Sequence, residues 1–150
     1  MSGQNLTPSL EDYLEAILRL ERKNRVARVK DIAGLLNVQM PSVTGALKNL
    51  RTRELVNYEK NSYISLTEAG IKLAKEVEQK HKFLAAFLEE ILLLPPDRAQ
   101  AEACEIEHVV SPDTTERLKR LTVFLKERFS GQGDYEAEKW KALILPGSGE

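Results

Sequence analysis

Apolar residues Leu10, Tyr13, Leu14, Ile17, Leu18 and Leu20 recur at a helical period and predict a first helix over roughly residues 9–23. Thr7-Pro8-Ser9 opens it: Pro is tolerated in a first turn, and Ser9 stands three residues before Asp12, as in a capping box. The charged run Glu21 to Arg25 closes it. Val29 to Leu36 predicts a short amphipathic helix that stops at Asn37-Val38-Gln39-Met40. Pro41-Ser42 then starts another, running to about Arg53, with Val43, Ala46, Leu47 and Leu50 placed to pack inward. Ser42, Thr44, Gly45, Lys48, Asn49 and Arg51 are left for its outer side. Residues 55–58 and 62–66 alternate around Glu59-Lys60-Asn61, the pattern of a hairpin. Helix, turn, helix, hairpin in that order is a winged helix-turn-helix.

The second half has longer periods. From Thr67-Glu68 to about Leu93, the residues Leu73, Val77, His81, Leu84, Leu88 and Ile91 form a stripe suited to pairing with another helix. Pro95-Pro96-Asp97 breaks the chain and caps a helix over about 97–110. Ser111-Pro112 stops that helix and starts one over roughly 112–128, with Leu118, Leu121, Phe124 and Leu125 inward. Ser130 to Asp134 reads as a flexible linker, and Trp140 with Ala142 to Leu145 as a short apolar patch near the end. The expected fold is therefore mainly α: a winged helix-turn-helix domain over 1–70, a helical domain over 71–129, and a tail over 130–150 of no assigned role. No internal repeat or low-complexity block interrupts it.

Composition narrows the class. A chain of 150 residues holds one core or two small ones, and 42% hydrophobic with 30% charged residues is ordinary for a soluble globular protein. The start lacks a basic and apolar signal region, and no apolar run approaches a membrane span. A single cysteine excludes an internal disulfide framework and fits a reducing cytoplasm. Charge is uneven beneath a net −1: residues 1–75 carry 12 Lys+Arg against 8 Asp+Glu, and residues 76–150 carry 10 against 15. A basic front half suits a polyanion.

Two groups of residues carry chemistry. On a helix, Cys104, Glu107 and His108 are spaced i, i+3, i+4 and leave from one face, so thiolate, carboxylate and imidazole converge as ligands for a transition metal. A small thiol beside a solvated acidic face gives the same spacing. His81 reads equally as a core histidine, and Asp12 and Glu15 as groups favoured near a helix start. At the front, an exposed helix fits the major groove, with short polar side chains reaching base edges and basic ones meeting phosphate. The DNA-contacting set expected from this pattern is Arg28, Gln39, Pro41, Ser42, Thr44, Lys48, Arg51 and, at the wing tip, Lys60.

In order, these pieces resemble the metal-dependent transcriptional repressors of the diphtheria toxin repressor family over about Leu6 to Phe129. Four segments carry the resemblance: Glu11 to Glu15, Ala27 to Ala33, Pro41 to Thr44, and Cys104 to Ser111 with Glu116-Arg117-Leu118. It implies a homodimer with a winged helix in front, a helical metal-binding and dimerisation domain behind, and metal between the two. It also implies the short, manganese-type architecture without a C-terminal barrel. The ligand positions of that branch fall on Asp12, Glu15, His81, Cys104, Glu107 and His108, enough for two neighbouring ions. Cys104 is the iron-type choice, whereas Asp12 and Glu15 are manganese-type, so the set is a hybrid. The partners of the iron-type ancillary site fall on Ala85 and Gln100, poor or impossible ligands, and that site is expected to be absent. Gly45 removes a side chain that some relatives aim at bases.

The implied function is a repressor of metal-homeostasis genes, activated by Mn2+ or Fe2+, with Zn2+ or Co2+ binding in vitro, and partnered by double-stranded operator DNA and a second copy of itself. An enzyme is not expected, because no nucleophile constellation or phosphate-binding glycine loop accompanies the ligands. The competing reading is a winged-helix regulator that senses an organic ligand, or oxidation at Cys104, without metal. Acids around Cys104 oppose the low thiol pKa that oxidation sensing needs.

Overall fold

The computed structural model describes residues 5–60, 62–130 and 134–147. The expected wing-tip residue Asn61, most of the 130–134 linker and the last three residues lie outside them. By contact the chain divides into two units, Met1–Gln79 and Lys80–Glu150.

In the first unit, α1 (Pro8–Asn24) is capped by Thr7, whose Oγ1 accepts from the Leu10 amide at 3.3 Å. The cap is thus Thr7 rather than Ser9, which leaves Asp12 two residues beyond the third helical position that a capping box uses. Leu10, Tyr13, Leu14, Ile17, Leu18 and Leu20 are buried as the period requires. The burial of Tyr13 raises its phenol above its ordinary pKa. Helices α2 (Val29–Leu36) and α3 (Met40–Thr52) pack on α1 and on each other. Asn37 ends α2 in the left-handed conformation, φ 53°, which Asn tolerates better than most residues.

The wing is smaller than its sequence pattern. Among the described residues, only β1 (Val56–Asn57) and β2 (Ser65–Leu66) pair as strands, antiparallel, with Val56 opposite Leu66 and Asn57 opposite Ser65. An isolated bridge joins Ala27 to Ile64 and adds the α1–α2 connection to the wing. Glu21 of α1 accepts from the Leu66 amide at 3.0 Å. One core, from Leu10 through Val43, Leu47 and Leu50 to Ile64 and Leu66, lies beneath these elements. Gly70 is required there: a Cβ would stand 1.9 Å from the Leu55 carbonyl oxygen.

Helix α4 (Glu68–Ala86) carries the stripe into the second unit and passes into a π-helical turn, Phe87–Ile91, where the Leu92 amide donates to the Phe87 carbonyl. That turn interrupts the single long helix expected to reach Leu93. Helix α5 (Pro96–Ile106) packs against it, so Leu84, Ala85, Leu88, Ala99 and Ala103 form a second core. Helix α6 (Pro112–Ser130) follows Ser111, whose Oγ accepts from the Thr114 amide at 3.1 Å. Leu118 and Leu125 are half-buried on it, but Leu121 and Phe124, expected inward, are 45% and 59% exposed in the single chain. The tail contains a seventh helix, α7 (Asp134–Ile144). Its Trp140 indole donates to the Ile91 carbonyl at 2.8 Å and its ring lies 5.4 Å from that of Phe129. Among the described residues, no helix is long and apolar enough to cross a membrane.

Candidate metal centre and nucleic-acid interface

Helix α5 ends at Ile106, and a turn carries Glu107 and His108 onward, with the Glu107 amide still donating to Ala103 and the Val110 amide to Ile106. The Glu107 side chain is fully buried. His81, half-buried on α4, places Nδ1 2.6 Å from Glu107 Oε2. The His108 Nε2 stands 3.5 Å from Glu107 Oε1. A desolvated carboxylate is therefore set between two imidazoles, an arrangement with a large cost unless the charge is balanced.

Second contacts fix these groups. His81 Nε2 lies 2.9 Å from Gln100 Oε1 on α5, so both ring nitrogens of His81 are held by side chains. Lys80, the preceding residue, donates its ammonium to the carbonyls of Glu107 and Val110, each at 3.2 Å. Gln100 is a position that the resemblance pairs with His81, and here it meets the ring as a hydrogen-bond partner. Lys80 is not marked by sequence spacing, because its contacts join positions 27 and 30 residues apart. Ala85 is buried in the second core and offers no donor.

The donor set fits a divalent transition metal. Each of two imidazoles approaches the Glu107 carboxylate, His81 at 2.6 Å and His108 at 3.5 Å. Oxygen and imidazole nitrogen together suit Mn2+, Fe2+, Co2+ or Zn2+. A histidine that ligates through one nitrogen commonly has the other fixed by a carboxylate or carbonyl, as the contacts of His81 allow. Cys104 is exposed on α5. In the first unit, Asp12 and Glu15 are half-buried at i, i+3 on α1.

The residues expected to contact DNA all belong to the first unit, and Thr44, Lys48, Arg51 and Lys60 line one groove of it. Gln39 is the N-cap of α3 and Pro41 lies in its first turn. Ser42, Lys48 and Arg51 are exposed along it, as is Lys60 on the wing. Thr44 is half-buried and donates its hydroxyl to the Met40 carbonyl at 3.2 Å. A groove between α3 and the wing is lined by Met40, Thr44, Lys48, Arg51, Tyr58 and Lys60. Arg51 donates to the Tyr58 carbonyl at 3.1 Å, tying the helix to the wing. Arg28 lies with its guanidinium carbon 5.2 Å from the centroid of the Tyr63 ring. Tyr63 and Met40, 57% and 51% exposed, were not in the expected set. Their exposure beside basic residues becomes visible only once the wing is folded.

Comparison with known proteins agrees with both halves. Residues 5–63 match the N-terminal DNA-binding domain of the iron-dependent repressors, and residues 67–134 their metal-binding and dimerisation domain. The chain is 43% identical over 124 residues to an uncharacterized HTH-type transcriptional regulator of Methanocaldococcus jannaschii, over 82% of this chain and 99% of that one. It is 35% identical over 121 residues to the HTH-type transcriptional regulator MntR of Bacillus subtilis, covering 81% and 84% of the two chains. Among solved structures, the manganese regulator SloR aligns with a TM-score of 0.69 at 33% identity, over 79% of this chain and 55% of that one. ScaR with bound Zn2+ aligns at 0.66 and 34%, over 77% and 54%. This chain spans about half the length of those two structures. With the winged helix, the helical second unit and these likenesses together, the chain belongs to the diphtheria toxin repressor family of metal-dependent transcriptional regulators, in its manganese-regulator branch.

Proposed function

We propose that this chain is a metal-activated repressor: as a homodimer it binds operator DNA near metal-homeostasis genes when Mn2+ or Fe2+ is bound. The observation that carries the reading is the buried Glu107 carboxylate set between His81 and His108. The family resemblance adds Asp12, Glu15 and Cys104 to this ligand set. The same resemblance supports a DNA-reading domain over 1–70 and a metal-binding and dimerisation domain over 71–129. A bound divalent cation supplies positive charge that offsets repulsion among the carboxylates.

The chain's own residues do the rest. Glu107 and His108 fix the rear ligands, and Asp12 and Glu15 extend the set to the first helix. Metal occupancy and operator affinity are thereby coupled, by about 1–3 kcal/mol or 5–150-fold as is typical. By reciprocity, operator DNA tightens metal binding by the same factor. Arg28, Lys48, Arg51 and Lys60 meet phosphate, and Gln39, Pro41, Ser42 and Thr44 lie nearest the bases. The chain acts by binding, not as an enzyme, and works in the cytoplasm, consistent with one exposed cysteine and a DNA partner. Names of metal regulators among the relatives support this reading over sensing of an organic ligand or of oxidation at Cys104.

The test starts with operator DNA selected from a random-sequence pool in the presence of Mn2+. Binding is then titrated with Mn2+, Fe2+, Co2+ and Zn2+ against a chelator. Metal-stimulated binding that is lost in Glu107→Ala and His108→Ala, with the dimer retained, is the expected result. Equal operator affinity of the wild type and both variants, with and without metal, defeats the assignment.

A further inference from the structure

We propose that Lys80 is a positioning residue of the metal centre, setting the backbone of the turn that carries Glu107 and His108. This rests on the reading of those two residues as ligands. Lys80 is half-buried, and its ammonium donates to the carbonyls of Glu107 and Val110, the ends of a single four-residue turn. The Glu107 carbonyl, at the C-cap of α5, lies at the negative end of the helix, and the Val110 carbonyl closes the turn beyond it, so one lysine serves both. His81, the next residue, holds the Glu107 side chain at 2.6 Å. Consecutive positions on α4 thus fix the same residue twice: Lys80 by its backbone, His81 by its carboxylate.

The placement is unfavourable as electrostatics alone. A fixed positive charge beside a cation site repels the ion it serves. If Lys80 acted only by charge, removing it would tighten metal binding. If it acts by holding the turn, removing it weakens binding despite the relief of repulsion. The two accounts differ in sign.

The experiment uses the full chain and Mn2+ alone, with free Mn2+ followed by its paramagnetic resonance signal and Co2+ spectra reporting ligand geometry. Four variants are compared with wild type: Lys80→Arg, Lys80→Met, Lys80→Gln and His108→Ala. Lys80→Arg keeps long donors and should bind within a few-fold of wild type. Lys80→Met should weaken Mn2+ binding by about 10–100-fold, the range for outer residues that orient ligands. Its Co2+ spectrum should change while the metal-free circular dichroism stays that of the folded protein. Should Lys80→Met fail to fold, Lys80→Gln, uncharged and too short to reach both carbonyls, is read the same way. Binding by Lys80→Met or Lys80→Gln that equals or exceeds wild type overturns the role of Lys80. Absence of Mn2+ and Co2+ binding by wild type, or undiminished binding by His108→Ala, instead removes the ligand reading and the role of Lys80 with it.

Discussion

A carboxylate with no exposure is tolerated only among groups that balance it, and Glu107 has His81 and His108 at its two oxygens. Cys104 stands three residues earlier, which on a helix places it about 60° around the axis from Glu107. Cys104 is exposed in the single chain and Glu107 is buried, yet an offset of that size keeps the two on neighbouring positions of one face. Two glycines extend residue-scale reasoning to stability. A Cβ at Gly45 meets nothing within 4 Å, whereas one at Gly70 meets the Leu55 carbonyl oxygen. Gly45→Ala should therefore stabilise the fold by up to about 1 kcal/mol through helix propensity. Gly70→Ala should destabilise it by about 1–3 kcal/mol, as overpacking does. Urea unfolding of both variants checks the pair, and opposite signs are the expected outcome.

Among elements, α3 and the wing act together because Arg51 joins them through the Tyr58 carbonyl. Lys48 has no such tie among the hydrogen bonds of the described residues and is exposed toward the same groove. Lys48→Ala should weaken operator binding across sequences and lower the salt slope by about 0.9 for each phosphate it no longer neutralises. Arg51→Ala should do the same and also lower the unfolding midpoint, since it releases the wing. Operator titrations at several salt concentrations with a parallel melt separate the two, and an unchanged slope for both counts against α3 as the DNA-facing element. The helices were legible because their apolar periods run for several turns. The π-helical turn at Phe87–Ile91 was not, since its residues continue the α-helical stripe. The wing strands were overestimated because alternation marks which residues face inward, not how many pair.

For the molecule, α6 exposes Leu121, Val123 and Phe124, and a second copy is expected to cover the face that carries Leu121 and Phe124. Leu121 and Phe124 lie at i, i+3, on one helix face, and stay exposed in the single chain. The family assembles as a homodimer, and burial in that dimer is the expected reason why residues that read as inward are open in one protomer. Leu121→Glu with Phe124→Glu should yield monomers by analytical ultracentrifugation and lose high-affinity operator binding while each chain remains helical. A dimer that persists unchanged shows that another face joins the protomers. Helix α7 is tied to the second unit: Trp140 donates to the Ile91 carbonyl and packs on Phe129.

By itself the sequence determined the order of the helices and wing up to α6, the inward face of each front helix, the basic recognition helix and the residue types able to ligate a metal. These depend on local period, caps and side-chain chemistry, which a linear chain displays. Tertiary structure alone decided that Thr7 rather than Ser9 caps α1, that Arg51 ties the recognition helix to the wing, and that Lys80, His81 and Gln100 come together around the Glu107 turn. Each of these depends on how the backbone lies once the chain has packed, and several join positions far apart in sequence, where no spacing rule operates.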